Sequence, residues 1–250
     1  MSDDHIARER IAVALFGPAI APSEPVVRGT FAPERPGVLL VASDWERKGG
    51  ADALAAFTEL RKAIPGATLT VVGDAVPRLP EGVVGLRRVD RTRMAEAYAS
   101  HDVLLELARS NAAGVTLTDV AGFGLPAVAT DIGGVSSVVR NDTSGVLLAP
   151  GPHLAERAAS AITRICTTPG LWHHLVQGSL DHAREVLNWD HWADVTLSVL
   201  GECAAEYSGD KDDRDRQVIG CGVGSPDVQV ETFFEKALLL ISRHVPRGGR

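Results

Sequence analysis

Three short stretches of this sequence gather basic, small and polar residues in patterns suited to holding phosphates and hydroxyls. In DWERKGG, which begins at Asp44, the cations Arg47 and Lys48 stand directly before a glycine pair that leads into a helical pattern. Cations beside the unpaired N–H groups of a helix N-terminus make a diphosphate cradle. The competing reading is a solvated turn whose charges keep it soluble. In ARSNAAGVTLTD, Asn111 precedes Ala112, Ala113 and Gly114, and Gly114 can start the next helix. The main-chain N–H groups of residues 112–114 would then lack intrahelical acceptors and face whatever lies in front of them. Asp119 falls just over one helical turn in, where a carboxylate can accept hydrogen bonds from the vicinal hydroxyls of a ribose or merely complement the helix dipole. In DIGG at 131–134, Gly133 and Gly134 bring another glycine pair to a helix start, or form a tight turn.

The elements that must position these loops follow from apolar periodicity. RIAVALF, GVLLVAS from Gly37, TLTVVG from Thr68, VVGLRRV from Val83, DVLLEL from Asp102, PAVAT from Pro126 and GVLLAP from Gly145 read as strands. Between them ADALAAFTELRKAI sets Leu54, Phe57, Leu60 and Ile64 on one helical face, and RTRMAEAYASH, GVTLTDVAGFG and GVSSVVRN form further helices. Strands without clean alternation, separated by helices, predict a parallel sheet covered on both faces. The expected fold is α/β, a single Rossmann-like doubly wound parallel sheet followed by C-terminal helices, and ligands in such sheets bind beyond the carboxyl ends of the strands. After Pro150 three helices are expected, with Asn188 capping the third and Trp189 and Trp192 on one side of it. The expected division is an N-terminal strand and linker at 1–36, a Rossmann-like domain at 37–207, a charged linker at 208–227 and an amphipathic helix with a basic tail at 228–250.

Composition removes several function classes. The chain has 250 residues, 45% of them hydrophobic, and a formal charge of -7. Phosphate neutralisation along a nucleic acid needs clustered Lys and Arg, which are missing, so no nucleic-acid partner is expected. Cys166, Cys203 and Cys221 form no CxxC pairing and read as free thiols of a reducing, cytoplasmic compartment. The charged start MSDDHIARER does not resemble a signal peptide. No GxGxxG follows the first strand of the sheet, GFGLP at 122–126 precedes a strand instead of opening a helix, and the P-loop pattern is missing. His173 and His174 have no partners at ligand spacing, so no metal is expected, and Ser136 and Ser137 lack a nucleophile-elbow context.

Together DWERKGG, NAAGVTLTD, VAGFGLPAVATDIGGVSSVV, GVLLAP and LNWDHWA, in that order from about Arg10 to Tyr207, resemble glycosyltransferase family 4, the glycosyl transferases group 1, in the C-terminal donor-binding domain of the GT-B fold. The resemblance implies that the 37–207 domain binds a nucleotide-diphosphate sugar as donor substrate, with no other cofactor, and that transfer proceeds with retention at the anomeric carbon. In that family an Arg and, five residues later, a Lys grip the diphosphate. Here those positions are Ser43 and Lys48. The two glutamates of the E-x7-E motif correspond to Asn111 and Asp119, which by resemblance face the transferred sugar and the nucleotide ribose. The amides after Asn111, with Gly114 retained, would assist, and the main chain near Arg88 and Val89 would lie beside the base. Lys48 and Asn111 are thus the catalytic candidates.

The same resemblance implies a second Rossmann domain for the acceptor, and RIAVALFGPAIAPSEP resembles the strand and linker that join the two. The acceptor site would come from a second chain or from self-association. The replacements at Ser43, Asn111 and Asp119 support an alternative, a noncatalytic nucleotide-sugar-binding or regulatory remnant. Sugar-nucleotide epimerases share the GT-B fold and give a third reading. In the terminal helix Phe233, Phe234, Ala237, Leu238 and Ile241 share one face, with Arg243, Arg247 and Arg250 behind. That face can dock on a partner, rest on a membrane surface as a peripheral contact, or fold back on its own domain.

Overall fold

A computed structural model describes residues 11–73, 79–112 and 114–209, with 204–209 described by backbone alone. Ala113, Cys221, most of the 208–227 linker and the whole 228–250 helix lie outside the described residues. The chain divides into two compact units, Met1–Cys203 and Ala204–Arg250, and the first contains the sheet.

Six parallel strands make one sheet: β1 (Gly37–Val41), β2 (Thr68–Val72), β3 (Val83–Leu86), β4 (Val103–Glu106), β5 (Ala127–Thr130) and β6 (Gly145–Leu148), in the order β3-β2-β1-β4-β5-β6. β1 is central, with Val38 opposite Leu69 of β2 on one side and Val103 of β4 on the other. The strand order reverses between β1 and β4, and open sheets of this class bind ligands in the crevice outside the carboxyl ends of the strands at such a switch point.

The helices are α1 (Gly50–Ala63), α2 (Arg91–Ser100), α3 (Val115–Gly122), α4 (Val135–Val138), α5 (Leu154–Thr167), α6 (Leu171–Glu185) and α7 (Trp189–Gly209). Successive strand residues point to opposite faces. Val38, Leu40, Val103 and Leu105 therefore join Phe57 and Leu60 of α1 and Ile162 and Ile165 of α5 in one core layer. Leu39 and Leu104 turn to the other face and meet Tyr98 of α2 with Leu117 and Val120 of α3. This two-sided cover is why β4 and β5 are buried at every residue and read as unbroken runs instead of alternating ones.

The expected strand at RIAVALF is not formed: residues 11–16 are irregular, and Ile11 and Val13 are 56% and 71% exposed. An apolar run becomes a strand only where a sheet edge offers its free N–H and C=O groups, and residues 11–16 pair with none. The chain after them instead straps the domain. Trp189 Nε1 donates to the Pro18 carbonyl at 3.1 Å, and Phe31 stacks on Trp172 with ring centroids 4.7 Å apart. Arg28 donates to the carbonyls of Tyr98, Ala99 and His101, capping the C-terminus of α2. Asn188 caps α7 as expected, its Oδ1 accepting from the His191 N–H at 2.7 Å, and the rings of Trp189 and Trp192 meet edge to face at 5.8 Å.

Cys166, on the buried face of α5, sits in the core, where burial, aided by the negative charge of Asp102, pushes its thiol up to about 12. Cys203 is exposed. Iodoacetamide applied to the native protein at a pH of about 8, near the ordinary thiol range, is expected to alkylate Cys203 and spare Cys166, as read by peptide mass spectrometry. Rapid labelling of both would show that the α5 layer opens.

Candidate functional site

The three loops singled out in the sequence meet at the carboxyl end of the sheet. After β1 the chain winds into a compact turn, with the Lys48 N–H bonded to the Asp44 carbonyl at 2.9 Å and the Gly50 N–H to the Trp45 carbonyl at 2.9 Å. Gly49 ends it at φ +66, and a Cβ there would lie 1.9 Å from the Leu107 carbonyl oxygen. Only glycine supplies both the left-handed backbone and that close approach. The Arg109 N–H donates to the Arg47 carbonyl at 2.8 Å, so the loops after β1 and β4 are stitched together across the switch point.

This packing turns Lys48 inward. Its residue is 8% exposed and Glu106, the last residue of β4, is 3% exposed, and Nζ lies 2.8 Å from Glu106 Oε1. Asn111 Nδ2 donates to the same Oε1 at 2.6 Å, while Asn111 Oδ1 accepts from the Gly114 N–H at 2.9 Å. Glu106 Oε2 is buried without a hydrogen-bond partner among the described residues. The Gly114 N–H, expected to be free for a ligand, is thus taken by Asn111, because a short amide side chain three residues back closes a turn with it more readily than a distant group. Glu106 is not among the sequence candidates. Its signal is a lone carboxylate inside the apolar run VLLEL at 103–107, which signifies a buried charge that needs a partner.

The third loop leans on the second. A Cβ on Gly133, at φ +55, would lie 2.1 Å from the Asn111 carbonyl oxygen, and one on Gly134 would lie 2.6 Å from that of Ala112. Val115, the first residue of α3, is exposed. Ser43 is exposed just past β1, and Arg47 is exposed and bonded to Asp44 at 3.2 Å. Arg88 and the half-buried Val89 follow edge strand β3, which β2 separates from β1. A groove of about 830 Å³ lies elsewhere, between the strap and α2, lined in part by Pro22, Arg28, Arg91, Glu96, Phe123 and Trp172. Among the described residues no group of three or more His, Cys, Asp and Glu could hold a metal ion, and no helix is long and apolar enough to cross a membrane.

Asp119 is buried on α3 and its Oδ1 accepts from the Ala19 N–H at 2.6 Å and the Ile20 N–H at 3.0 Å, while the Tyr98 hydroxyl lies 3.5 Å from Oδ2. A ribose reaching this carboxylate would compete with the strap. Burial raises the Asp119 carboxyl above the ordinary carboxylate range, against the lowering effect of the Ile20, Ala19 and Tyr98 hydrogen bonds. The native state therefore holds this proton at pH values where the unfolded chain has released it, and this group's contribution to stability falls as pH rises from about 4 through the raised native value. Asp119→Asn is expected to flatten that part of the pH dependence of the urea midpoint. An unchanged slope would assign it to another group.

The model for glycosyl transferases group 1 matches residues 35–168. A glycogen synthase of Mycobacterium tuberculosis is 27% identical over 209 residues, covering 74% of this chain and 50% of that protein. A D-inositol 3-phosphate glycosyltransferase of Thermomonospora curvata is 34% identical over 119 residues, 48% of this chain and 25% of its own length. The chain thus spans half or less of these curated relatives. Among solved structures, WaaG, a glycosyltransferase of lipopolysaccharide biosynthesis, aligns at TM-score 0.57 and 22% identity over 66% of this chain and 46% of its own. Anabaena HepE in complex with UDP-glucose aligns at 0.55 and 16% over 68% and 49%. These likenesses confirm the fold as the Rossmann-like α/β unit of GT-B glycosyltransferases.

Proposed function

The chain belongs to the glycosyl transferases group 1 family, and we propose that residues 37–207 are a donor-binding half that holds a nucleotide-diphosphate sugar for retaining glycosyl transfer. The observation that carries this reading is the meeting of the three loops at the switch point, with a buried lysine and a pinned asparagine at the crevice. Lys48, with Arg47 at the rim, meets the diphosphate. Asn111 Nδ2 commits one hydrogen to Glu106 and retains a second for a sugar hydroxyl. The loop main chain at Ala112 and Gly114 shapes the sugar pocket, and Val115 closes it. Gly133 and Gly134 let the third loop approach it, the chain at Arg88 and Val89 flanks the base, and Asp119 takes the ribose if the strap yields. Fixed positive charge facing the departing diphosphate supplies the rate enhancement, while the acceptor hydroxyl attacks from the face the diphosphate leaves and gives its proton to that leaving group. HepE, solved with UDP-glucose on the same fold, supports the class of ligand.

The acceptor wall on this reading comes from a second Rossmann-type unit, on another chain or a second copy. One observation favours a noncatalytic nucleotide-sugar-binding module instead: no cation stands at Ser43, and Lys48 is already ion-paired.

Calorimetric titration of UDP, GDP and ADP and their sugar conjugates tests both readings. Binding of one of these series is expected, weakened by about tenfold or more in Lys48→Ala, the loss of a buried charge contact to phosphate. Slow hydrolysis of the bound donor supports the transferase, and binding without hydrolysis supports the module. An absence of binding at millimolar ligand would overturn the donor reading.

A further inference from the structure

The cations at the mouth of the crevice are already matched by acids. Arg47 pairs with Asp44 at 3.2 Å, Arg109 with Asp52 at 3.6 Å and Glu46 at 3.9 Å, and Lys48 with Glu106 at 2.8 Å. The first two sets are exposed, and water screens them, so a phosphate can draw those guanidinium groups away with little opposition. The Lys48–Glu106 pair differs in kind. Both partners are buried, their attraction acts in a low dielectric, and separating them strands a charge. Glu106 is also aimed at this pair: Oε1 holds both Lys48 and Asn111, and Oε2 has no hydrogen-bond partner among the described residues.

We propose that Glu106 is a positioning residue that acts as a built-in counter-anion: it holds the Lys48 ammonium at the crevice and is the group against which a ligand's phosphate competes. This inference rests on the donor-site reading and adds a residue that sets the site's affinity. A neutral group in the same place would keep the geometry and release the charge. Gln is isosteric, and its side-chain carbonyl can still accept from Asn111 and Lys48. The pair therefore limits how tightly this site grips a diphosphate, and frees the crevice more readily once a diphosphate has been bound.

The test is a mutant cycle on the full chain, titrating UDP, GDP and ADP into wild type, Glu106→Gln, Lys48→Met and the double variant. Glu106→Gln is expected to lower the Kd of the bound nucleotide by about tenfold or more, and the gain should vanish in the Lys48→Met background. A purely structural Glu106 would shift the melting temperature but would not tighten binding. Should Glu106→Gln fold poorly because Lys48 is left unpaired, Glu106→Asp, which keeps the charge and shortens its reach, must still tighten binding by a smaller factor. If Lys48→Met weakens binding while neither Glu106 variant tightens it, the counter-anion inference is overturned and the donor site stands. If neither wild type nor the Glu106 variants bind in a Lys48-dependent way, both are overturned.

Discussion

A parallel sheet with helices on both faces can expose its chemistry only at its strand ends, and that constraint organises this molecule. Every interior position of β4 and β5 is committed to a core layer, so the polar residues that do chemistry must come from the loops beyond the strands. Glu106 is the informative exception: as the last residue of β4 it carries a carboxylate into the buried end of the sheet. Lys48 is turned inward to meet it by a turn that glycine alone can close. The geometry of the crevice is in this sense a consequence of one buried charge demanding another.

The sheet is legible in the sequence because buried parallel strands leave an apolar residue pattern, and all six observed strands fall within runs that carry it. RIAVALF carries the same apolar signal and forms no strand, because pairing depends on a free edge, which is a property of the assembled sheet and not of the run itself. The three site loops are legible through glycine pairs and helix starts. Which side chains face one another across them is not: the partner of Lys48 lies 58 residues away, and spacing along a chain carries no information on contacts of that range. Gly133 and Gly134 stand out as a glycine pair before a helix, and the structure adds that they admit the carbonyls of Asn111 and Ala112.

Two kinds of electrostatics coexist around the crevice. The rim pairs are exposed and screened by water, whereas the pair beneath them is buried. Asp119 shows the same contrast on a neighbouring helix, since its carboxylate serves the chain's own backbone instead of facing water. Asn111 and Asp119 each have a structural occupation in this chain, the first between Glu106 and the Gly114 N–H and the second on the N–H groups of Ala19 and Ile20.

The strap gives the domain a mechanical character. Asp119 fastens Ala19 and Ile20 to α3, and Trp189 fastens Pro18 to the start of α7. α3 begins just after Gly114, whose N–H is tethered to Asn111 and through it to Glu106 and Lys48. The strap and the buried ammonium are thus fastened to one short helix, the first at Asp119 and the second through Gly114 at its start, so α3 joins the N-terminal segment to the charged floor of the site.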